Sequence, residues 1–271
     1  MLLSEFLTKN DLFMWLENPL QIKLSTGIKR EKSDEIDSLD IALYAYRFQD
    51  RARCYRLSGK AVKSLELLLS FRERLLHNKH ALLVSATEIR RVLQENPAAR
   101  YIYEQSKKDV ERINGEIKEV EKRMLDEIRS DESLRETYDL VSSIKGIALI
   151  NTVAVLVATG NFTRFQTSRQ FACYSGMAPF GKQSGTSIRT RPRVSHLANK
   201  RIKVLLTQAA KCAIRHDPGM RDYYQRKVAE GKNSWLVINN VRNKLIHLIF
   251  ALVKNKQSYQ AGYIRPEKIV A

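Results

Sequence analysis

Cysteine is scarce in this sequence, and the cysteines that are present lie far apart. Cys54, Cys173 and Cys212 form no CxxC pair and leave an odd number. A disulfide framework needs an even set of cysteines, and a structural zinc site needs closely spaced ligands, so the sequence argues against both. Scattered free thiols are typical of a reducing compartment, and we expect a cytoplasmic protein.

Long hydrophobic runs are also missing. The N-terminus has no basic segment followed by an apolar core, so no signal peptide is predicted. The longest apolar run, residues 147–160, has about 14 residues, whereas roughly 20 are needed to cross a bilayer. We therefore predict a buried helix here and no membrane partner.

Acidic residues are rare in the second half of the chain. Residues 140–271 contain 22 Lys/Arg and four Asp/Glu, whereas residues 1–139 contain 25 of each. The whole formal charge of +18 therefore belongs to the second half. Such a localised excess favours nucleic acid, because each neutralised phosphate releases counterions. A membrane surface is the competing polyanion, but no basic amphipathic helix flanks a lipidation signal or a span.

Two long helices are predicted in the middle of the chain. Apolar residues recur at helical spacing from 57 to 96, and a second helix is predicted to start after Pro97. Steps of four, three and four give that second helix a heptad seam, formed by Ile113, Ile117, Val120 and Met124. We predict an antiparallel coiled-coil hairpin used for dimerisation and spacing, with packing inside one chain as the alternative.

The N-terminal region contains a pair of aspartates with metal-binding potential. Residues 12–16 are apolar and aromatic, which predicts a buried strand ended by Asn18-Pro19. Ser33 is the predicted cap of a helix of about four turns, in which Asp34 and Asp37 share one face. Two carboxylates at the edge of an α/β sheet can hold Mg²⁺. The simpler interpretation is that they complement the helix dipole.

A glycine turn precedes the apolar run of the second half. Gly146 lies between apolar residues just before the helix, as in the hairpin of a helix-hairpin-helix. In that motif the backbone N–H groups of the turn and the next helix start face a phosphate. We therefore predict nucleic-acid contacts at Lys145 and Gly146.

A basic Gly/Ser loop follows, and it presents Ser184. A serine hydroxyl attacks phosphorus only when its proton is removed and the phosphate charge is neutralised. Six cations of this stretch meet the second need and are predicted to bind nucleic acid: Lys182, Arg189, Arg191, Arg193, Lys200 and Arg201. No His–Asp relay is evident, and His196 is the nearest candidate base. Ser187 and Ser195 are alternative nucleophiles, and a serine that only caps a turn is the simplest interpretation.

Helices are predicted for most of the remainder. A short one spans 168–174 and is expected to be capped by Ser168. Three aromatic residues among the later cations are able to stack on bases, but a core position is favoured for them: Tyr223, Tyr224 and Trp235. His247, on an apolar helix, is predicted to be a core histidine.

The order of these motifs resembles a known family. Residues 143–233 resemble the C-terminal transposase domain of the IS110/IS116/IS902 insertion-sequence family. The likeness rests on the glycine turn, the NFTRF turn, the segment before the Ser-Gly loop, the Asn199–Arg201 step and the Ala209-Ala210 helix. Residues 17–45 resemble the end of the same family's RuvC-like domain.

The resemblance implies a mechanism. It implies a RuvC-like Mg²⁺ site of four acids, two of which map to Asp34 and Asp37, and a nucleophilic serine that maps to Ser184. It implies a DNA recombinase that is directed by a structured guide RNA and acts as a homo-oligomer, a dimer or a tetramer. The other two acids would precede residue 1. We therefore expect an N-terminally truncated copy that binds nucleic acid but does not transpose alone.

These inferences predict a mainly α protein in four parts. They are a remnant of an RNase H/RuvC-like α/β domain (1–54), a coiled-coil hairpin (55–139), a serine-bearing, DNA-binding transposase domain (140–258) and a tail (259–271). The predicted function is that of an insertion-sequence transposase. The alternative is a non-catalytic nucleic-acid-binding protein, and a pure dimerisation scaffold is disfavoured because it needs no charge asymmetry.

Overall fold

The structure of the chain is a computed structural model. It describes residues 2–27, 33–55, 57–178, 183–184, 188–189, 194 and 198–260. These residues form eleven α-helices, one 3₁₀ turn and one pair of two-residue strands, so the predicted mainly α fold class is confirmed. The chain divides into two compact units, Met1–Ser58 and Gly59–Ala271. The finer four-part division, the RuvC-like remnant and the helix-hairpin-helix assignment stay predictions.

The described residues of the first unit form three helices and a 3₁₀ turn. Helix α1 covers Leu2–Lys9, α2 covers Pro19–Ser25, α3 covers Asp34–Arg47, and the 3₁₀ turn covers Gln49–Arg51. The side chain of Asn18 caps α2 by accepting the N–H of Leu20 at 3.0 Å. Pro19 occupies the first helical position, where its missing N–H is not needed. Asn18-Pro19 therefore begins a helix.

The buried strand predicted at residues 12–16 is wrong. Trp15 forms only an isolated antiparallel bridge with Cys54, and the side chains of Phe13 and Leu16 are 64% and 66% exposed. A strand buried on both faces needs paired neighbours, and the described part of this unit offers it only that single bridge. Trp15 instead packs on Tyr44 of α3, with the ring centroids 5.5 Å apart.

The second unit starts with the predicted hairpin. Helix α4 spans Lys60–Val92 and α5 spans Pro97–Ser130. The heptad residues of α5 are buried in one core with Val62, Leu65 and Leu69 of α4. Two polar pairs fix the antiparallel register: Arg72 Nε lies 2.7 Å from Glu121 Oε1, and Lys79 Nζ lies 2.7 Å from Asn114 Oδ1. The seam thus closes inside one chain, as the alternative interpretation held, and a dimerisation role stays a prediction.

The described residues of the second unit form six more helices. They are α6 (Glu132–Ser142), α7 (Leu149–Thr159), α8 (Ser168–Tyr174), α9 (Lys200–His216), α10 (Pro218–Ala229) and α11 (Ser234–Asn255). Between α8 and α9, strand β1 (Gln183–Ser184) pairs antiparallel with β2 (Ile188–Arg189). Helix α8 has the predicted bounds, but its cap is Thr167, which forms a capping box with Gln170, rather than Ser168.

The apolar run at residues 147–160 forms the buried helix that the sequence predicts. Val153, Val155 and Leu156 of α7 are at most 2% exposed and belong to the core that α4, α6 and α9 share. Helix α11 is the one described helix with the length and apolar composition to span a bilayer. It lines the core with Val237, Leu245 and other fully buried side chains, as a core helix of this length does.

Backbone contact between Gly146 and α9 sets the spacing of this unit. Gly146 has φ +99°, and a Cβ built on it would lie 2.6 Å from the nitrogen of Ala213 and 2.9 Å from the carbonyl oxygen of Ala209. Both alanines are fully buried. Only glycine permits both the backbone conformation and the close approach at this position.

We predict that Gly146→Ala destabilises the protein by at least about 3 kcal/mol, because the new methyl group meets backbone atoms that cannot rotate away. Gly115→Ala is the matched control. Gly115 lies within α5 with no atom near its built Cβ, so this change should stabilise by roughly 0.5–1 kcal/mol. Urea unfolding of the two variants measures both values. Equal stabilities would contradict the packing role of Gly146.

Candidate nucleic-acid interface and serine loop

The turn between α6 and α7 presents a lysine beside a helix start. Lys145 is exposed, and Gly146 faces α9 as described above. The N-cap of α7 is Ala148, and no side chain caps this helix. Its first N–H groups are therefore available to an anion, and the positive end of the helix dipole favours one. The geometry is compatible with the phosphate contact predicted for Lys145.

Tyr259, which follows α11, forms hydrogen bonds next to this turn. The N–H of Tyr259 donates to Ser143 Oγ at 2.8 Å, directly before the turn. The hydroxyl of Tyr259 donates to Asp217 Oδ2 at 2.6 Å. Asp217 is only 2% exposed, and its other oxygen accepts the N–H of Met220 to cap α10. Burial and this carboxylate together raise the pKa of Tyr259 to about 12.

The loop that carries Ser184 is closed at its base. The N–H of Asn199 donates to the carbonyl oxygen of Tyr174 at 2.9 Å, and Asn199 Nδ2 donates to the Tyr174 hydroxyl at the same distance. Gly176 lies so close to Ala198 that a built Cβ would be 2.6 Å from the alanine methyl group. The two ends of the loop therefore meet between α8 and α9.

The backbone of the loop tip is described at its paired strands. Ser184 pairs with Ile188, and Gln183 pairs with Arg189. This register places Ser184 at the end of a short hairpin with Arg189 on the opposite strand. The side chains of Ser184 and Arg189 lie outside the described residues, as do the predicted site residues Lys182, Arg191 and Arg193 and the alternatives Ser187, Ser195 and His196.

Two predicted cations stand where the loop enters α9. Lys200 is exposed at the first position of the helix. Arg201 forms an ion pair with Glu73 of α4, so part of its charge is already matched within the chain. Of these two side chains, Lys200 is the one displayed to an external phosphate.

Trp235 does not occupy the predicted core position. It is 60% exposed at the second position of α11, and Lys211 Nζ lies 5.0 Å from its ring centroid. Tyr223 and Tyr224 do pack against the core, and Lys244 Nζ lies 4.3 Å above the ring of Tyr223. An exposed indole beside a lysine is able to stack on a base.

His247 is likewise exposed, so its predicted core position is wrong. Its Nδ1 lies 2.8 Å from Oγ of Ser168, the first residue of α8. Within the described residues no carboxylate contacts this imidazole, so the pair lacks the third member of a serine triad. The bond joins α8 to α11.

Asp34 and Asp37 lie in the first turn of α3, in the first unit. Both are exposed, and Ser33 caps the helix through the N–H of Ile36, as predicted. Asp40, one turn further along, is 9% exposed. The described residues contain no cluster of three His, Cys, Asp or Glu side chains that would hold a metal ion. The two aspartates alone do not complete a Mg²⁺ site.

Arg242 is a site feature that sequence patterns did not single out. It lies on the buried face of α11 at 8% exposure, and burial lowers the pKa of its guanidinium. Nη1 donates to Thr207 Oγ1 at 2.8 Å, and Nη2 donates to Asn239 Oδ1 at 2.9 Å. A cation at a core position of an otherwise apolar helix was the available signal.

Comparison with known proteins agrees with the order of these motifs. The sequence profile of the transposase IS116/IS110/IS902 family matches residues 138–225, which run from α6 through the serine loop to α10. This part of the chain is therefore similar to the IS116/IS110/IS902 transposase family.

Relatives from three bacteria show how far the similarity extends. The "Insertion element IS110 uncharacterized 43.6 kDa protein" of Streptomyces coelicolor is 29% identical, over 45% of this chain and 30% of that protein. The "Pilin gene-inverting protein" of Moraxella bovis is 24% identical, over 89% of this chain and 73% of that protein. The "Probable family 20 transposase" of Pseudomonas aeruginosa is 21% identical, over 58% and 46%. The chain thus spans under a third of the Streptomyces family member.

The bond from Tyr259 to Asp217 generates a pH prediction. Because the folded pKa of Tyr259, about 12, lies above its ordinary value of 10.0, the stabilisation is complete below pH 10. It is lost as the pH rises from about 10 to 12. Tyr259→Phe should cost roughly 1–2 kcal/mol at neutral pH, since it leaves a buried carboxylate oxygen unpaired.

Urea unfolding between pH 8 and 12 measures this effect. The stability gap between wild type and Tyr259→Phe should narrow above pH 10. Tyr101→Phe, at a 66% exposed site on α5, is the matched control and should follow the wild-type curve. A gap that stays constant up to pH 12 would contradict the bond.

Proposed function

We propose that this chain acts on DNA as a transposase or recombinase of insertion-element type. The observation that carries the proposal is the position of the serine loop within the matched region. Hydrogen bonds between Tyr174 and Asn199 close the base of the loop. The loop connects α8 to α9, and both helices lie within the matched residues 138–225. The Moraxella relative is named for inverting a gene, and inversion of a DNA segment requires strands to be cut and rejoined.

In the proposed reaction Ser184 is the nucleophile. Its Oγ forms a bond to the phosphorus of a DNA phosphodiester, the bond from phosphorus to one bridging oxygen breaks, and that oxygen leaves as a strand hydroxyl. The serine proton is lost to a base, and the leaving oxygen gains one. Attack by the hydroxyl of a second strand reverses the step and releases the serine. Cations around the loop, with Lys200 the best placed of those described, would stabilise the extra charge on phosphorus.

Mg²⁺ binding is proposed only in a limited form. When bound, Mg²⁺ would neutralise charge on the phosphate. Asp34 and Asp37 are exposed, and the described residues contain no group of three His, Cys, Asp or Glu side chains that could hold a metal ion, so the two aspartates do not fit a complete site. We infer that further ligands must come from elsewhere and that residues 1–271 alone do not transpose ordinary DNA. Strand transfer by the purified chain would overturn that inference.

We also propose that the chain binds a guide RNA, associates with further copies of itself and is located in the cytoplasm. The cationic second half suits RNA as well as DNA. Apolar side chains at the far end of the hairpin offer a surface for a second copy: Val92, Leu93, Tyr101 and Ile102 are each more than 40% exposed.

A non-catalytic nucleic-acid-binding protein is the second candidate function. The observation in its favour is Trp235 of α11, which lies exposed beside the exposed Lys211 of α9. This arrangement binds bases without any reaction.

A chemical probe separates the two functions. An oligonucleotide whose terminal phosphate carries a p-nitrophenyl ester needs no proton and no metal for its leaving group. Wild type should form a covalent protein–DNA adduct and release nitrophenolate, and Ser184→Ala should reduce the adduct by at least about a hundredfold. Ser187→Ala is the matched control and should react normally. Adduct formation by Ser184→Ala would exclude Ser184, and no adduct with wild type would favour the non-catalytic function.

Trp235 provides an optical test of binding. The chain has two tryptophans, so Trp15→Phe leaves Trp235 as the only one. Single-stranded oligonucleotide should quench its fluorescence, and the affinity should fall as salt rises. Trp235→Ala should weaken binding about tenfold, as expected for one lost base stack.

The reciprocal variant controls this measurement. Trp235→Phe keeps only Trp15, which lies in the first unit, and its emission should not change on adding oligonucleotide. Equal quenching in both single-tryptophan variants would remove Trp235 from the interface.

A further inference from the structure

Arg242 is a buried cation without an anionic partner. It is 8% exposed, and no described carboxylate pairs with it. Its Nε is buried and has no hydrogen-bond partner. Removing a guanidinium from water is costly unless its charge is matched, so overall stability does not account for an arginine here.

The contacts of Arg242 lead to the serine loop. Asn239 accepts the bond from Arg242 Nη2 at 2.9 Å, and its own Nδ2 donates to the carbonyl oxygen of Met177 at 3.2 Å. The orientation of this amide is fixed, since a guanidinium can only donate and a carbonyl oxygen can only accept. Met177 lies on the entering arm of the loop, next to Gly176.

The other terminal nitrogen of the Arg242 guanidinium also has a hydrogen-bond partner. Nη1 donates to Thr207 of α9, the helix that begins where the loop ends. One guanidinium therefore ties the helix after the loop, through α11, to the arm before it. The planar fork of arginine holds two acceptors at once, which a lysine cannot do with the same geometry.

We propose that Arg242 is a positioning residue that fixes the base of the serine loop, through Asn239 and Met177, for the reaction of Ser184. The inference rests on the proposed function of Ser184. Its buried charge is retained because it sets geometry, and a small displacement of a nucleophile is sufficient to slow its reaction strongly.

Two variants test this role without removing the fold. Arg242→Met replaces the buried charge with an apolar chain of similar length, a change that is often neutral or stabilising. Asn239→Asp keeps an acceptor for Arg242 and supplies the missing negative charge, but it removes the donor to Met177. Both should keep the wild-type thermal midpoint or raise it. Arg242→Lys keeps the charge but not the fork, so it should change the loop readouts as Arg242→Met does while lowering the thermal midpoint, because a buried ammonium cannot hold both acceptors.

The readouts are loop proteolysis and adduct formation. Trypsin cleavage after Lys182 and Arg189 should become about tenfold faster in both variants, whereas cleavage after the exposed Lys232 serves as an internal reference and should not change. Adduct formation with the nitrophenyl probe should fall about tenfold or more. Wild-type cleavage and adduct rates in both variants would overturn the proposal. Absence of adduct in wild type would refute only the nucleophile, because the cleavage rates still decide the role of Arg242.

Discussion

The close approach of Gly146 to α9 is the contact on which the second unit depends. The turn before α7 lies directly against backbone atoms of Ala209 and Ala213, and this contact fixes the position of the start of α7 relative to α9. The same helix α9 begins at the exit of the serine loop. Gly146, Ala209 and Ala213 thus connect the turn before α7 to α9, the helix that follows the loop carrying Ser184. Both features are therefore attached to the same helix.

Buried hydrogen bonds further restrict the positions of the turn before α7 and of the serine loop. Tyr259 joins the turn to the start of α10 through Ser143 and Asp217, and Arg242 joins α9 to the entering arm of the loop through Asn239. Apolar surfaces tolerate small slides, whereas a hydrogen bond in a buried site has one length and one direction. These hydrogen bonds connect the turn to the start of α10 and the entering arm of the loop to α9.

Helices and caps followed from the sequence because their signals are local. The heptad seam of α5 and the cap at Ser33 come from spacing and side-chain chemistry within one or two turns. The buried strand predicted at residues 12–16 was wrong because an apolar run is equally compatible with an irregular segment when it pairs with no strand beyond a single bridge. The core position predicted for Trp235 was wrong for a tertiary reason: the exposure of a residue at the start of α11 depends on which helices pack against it, and the local sequence does not report this.

The scarcity of acids in the second half has a structural counterpart. Asp217 is used inside the protein, where it caps α10 and accepts the Tyr259 hydroxyl. Glu230 is held by Lys227 and Lys232, and the hydrogen bond from Lys227 lowers the pKa of its carboxyl. Two of the four acids in this half thus have partners within the chain, and Arg201 and Lys256 pair with Glu73 and Glu136 of the first half. The four acids cannot balance the 22 Lys/Arg of residues 140–271, and a positive excess of this kind attracts polyanions over a long range.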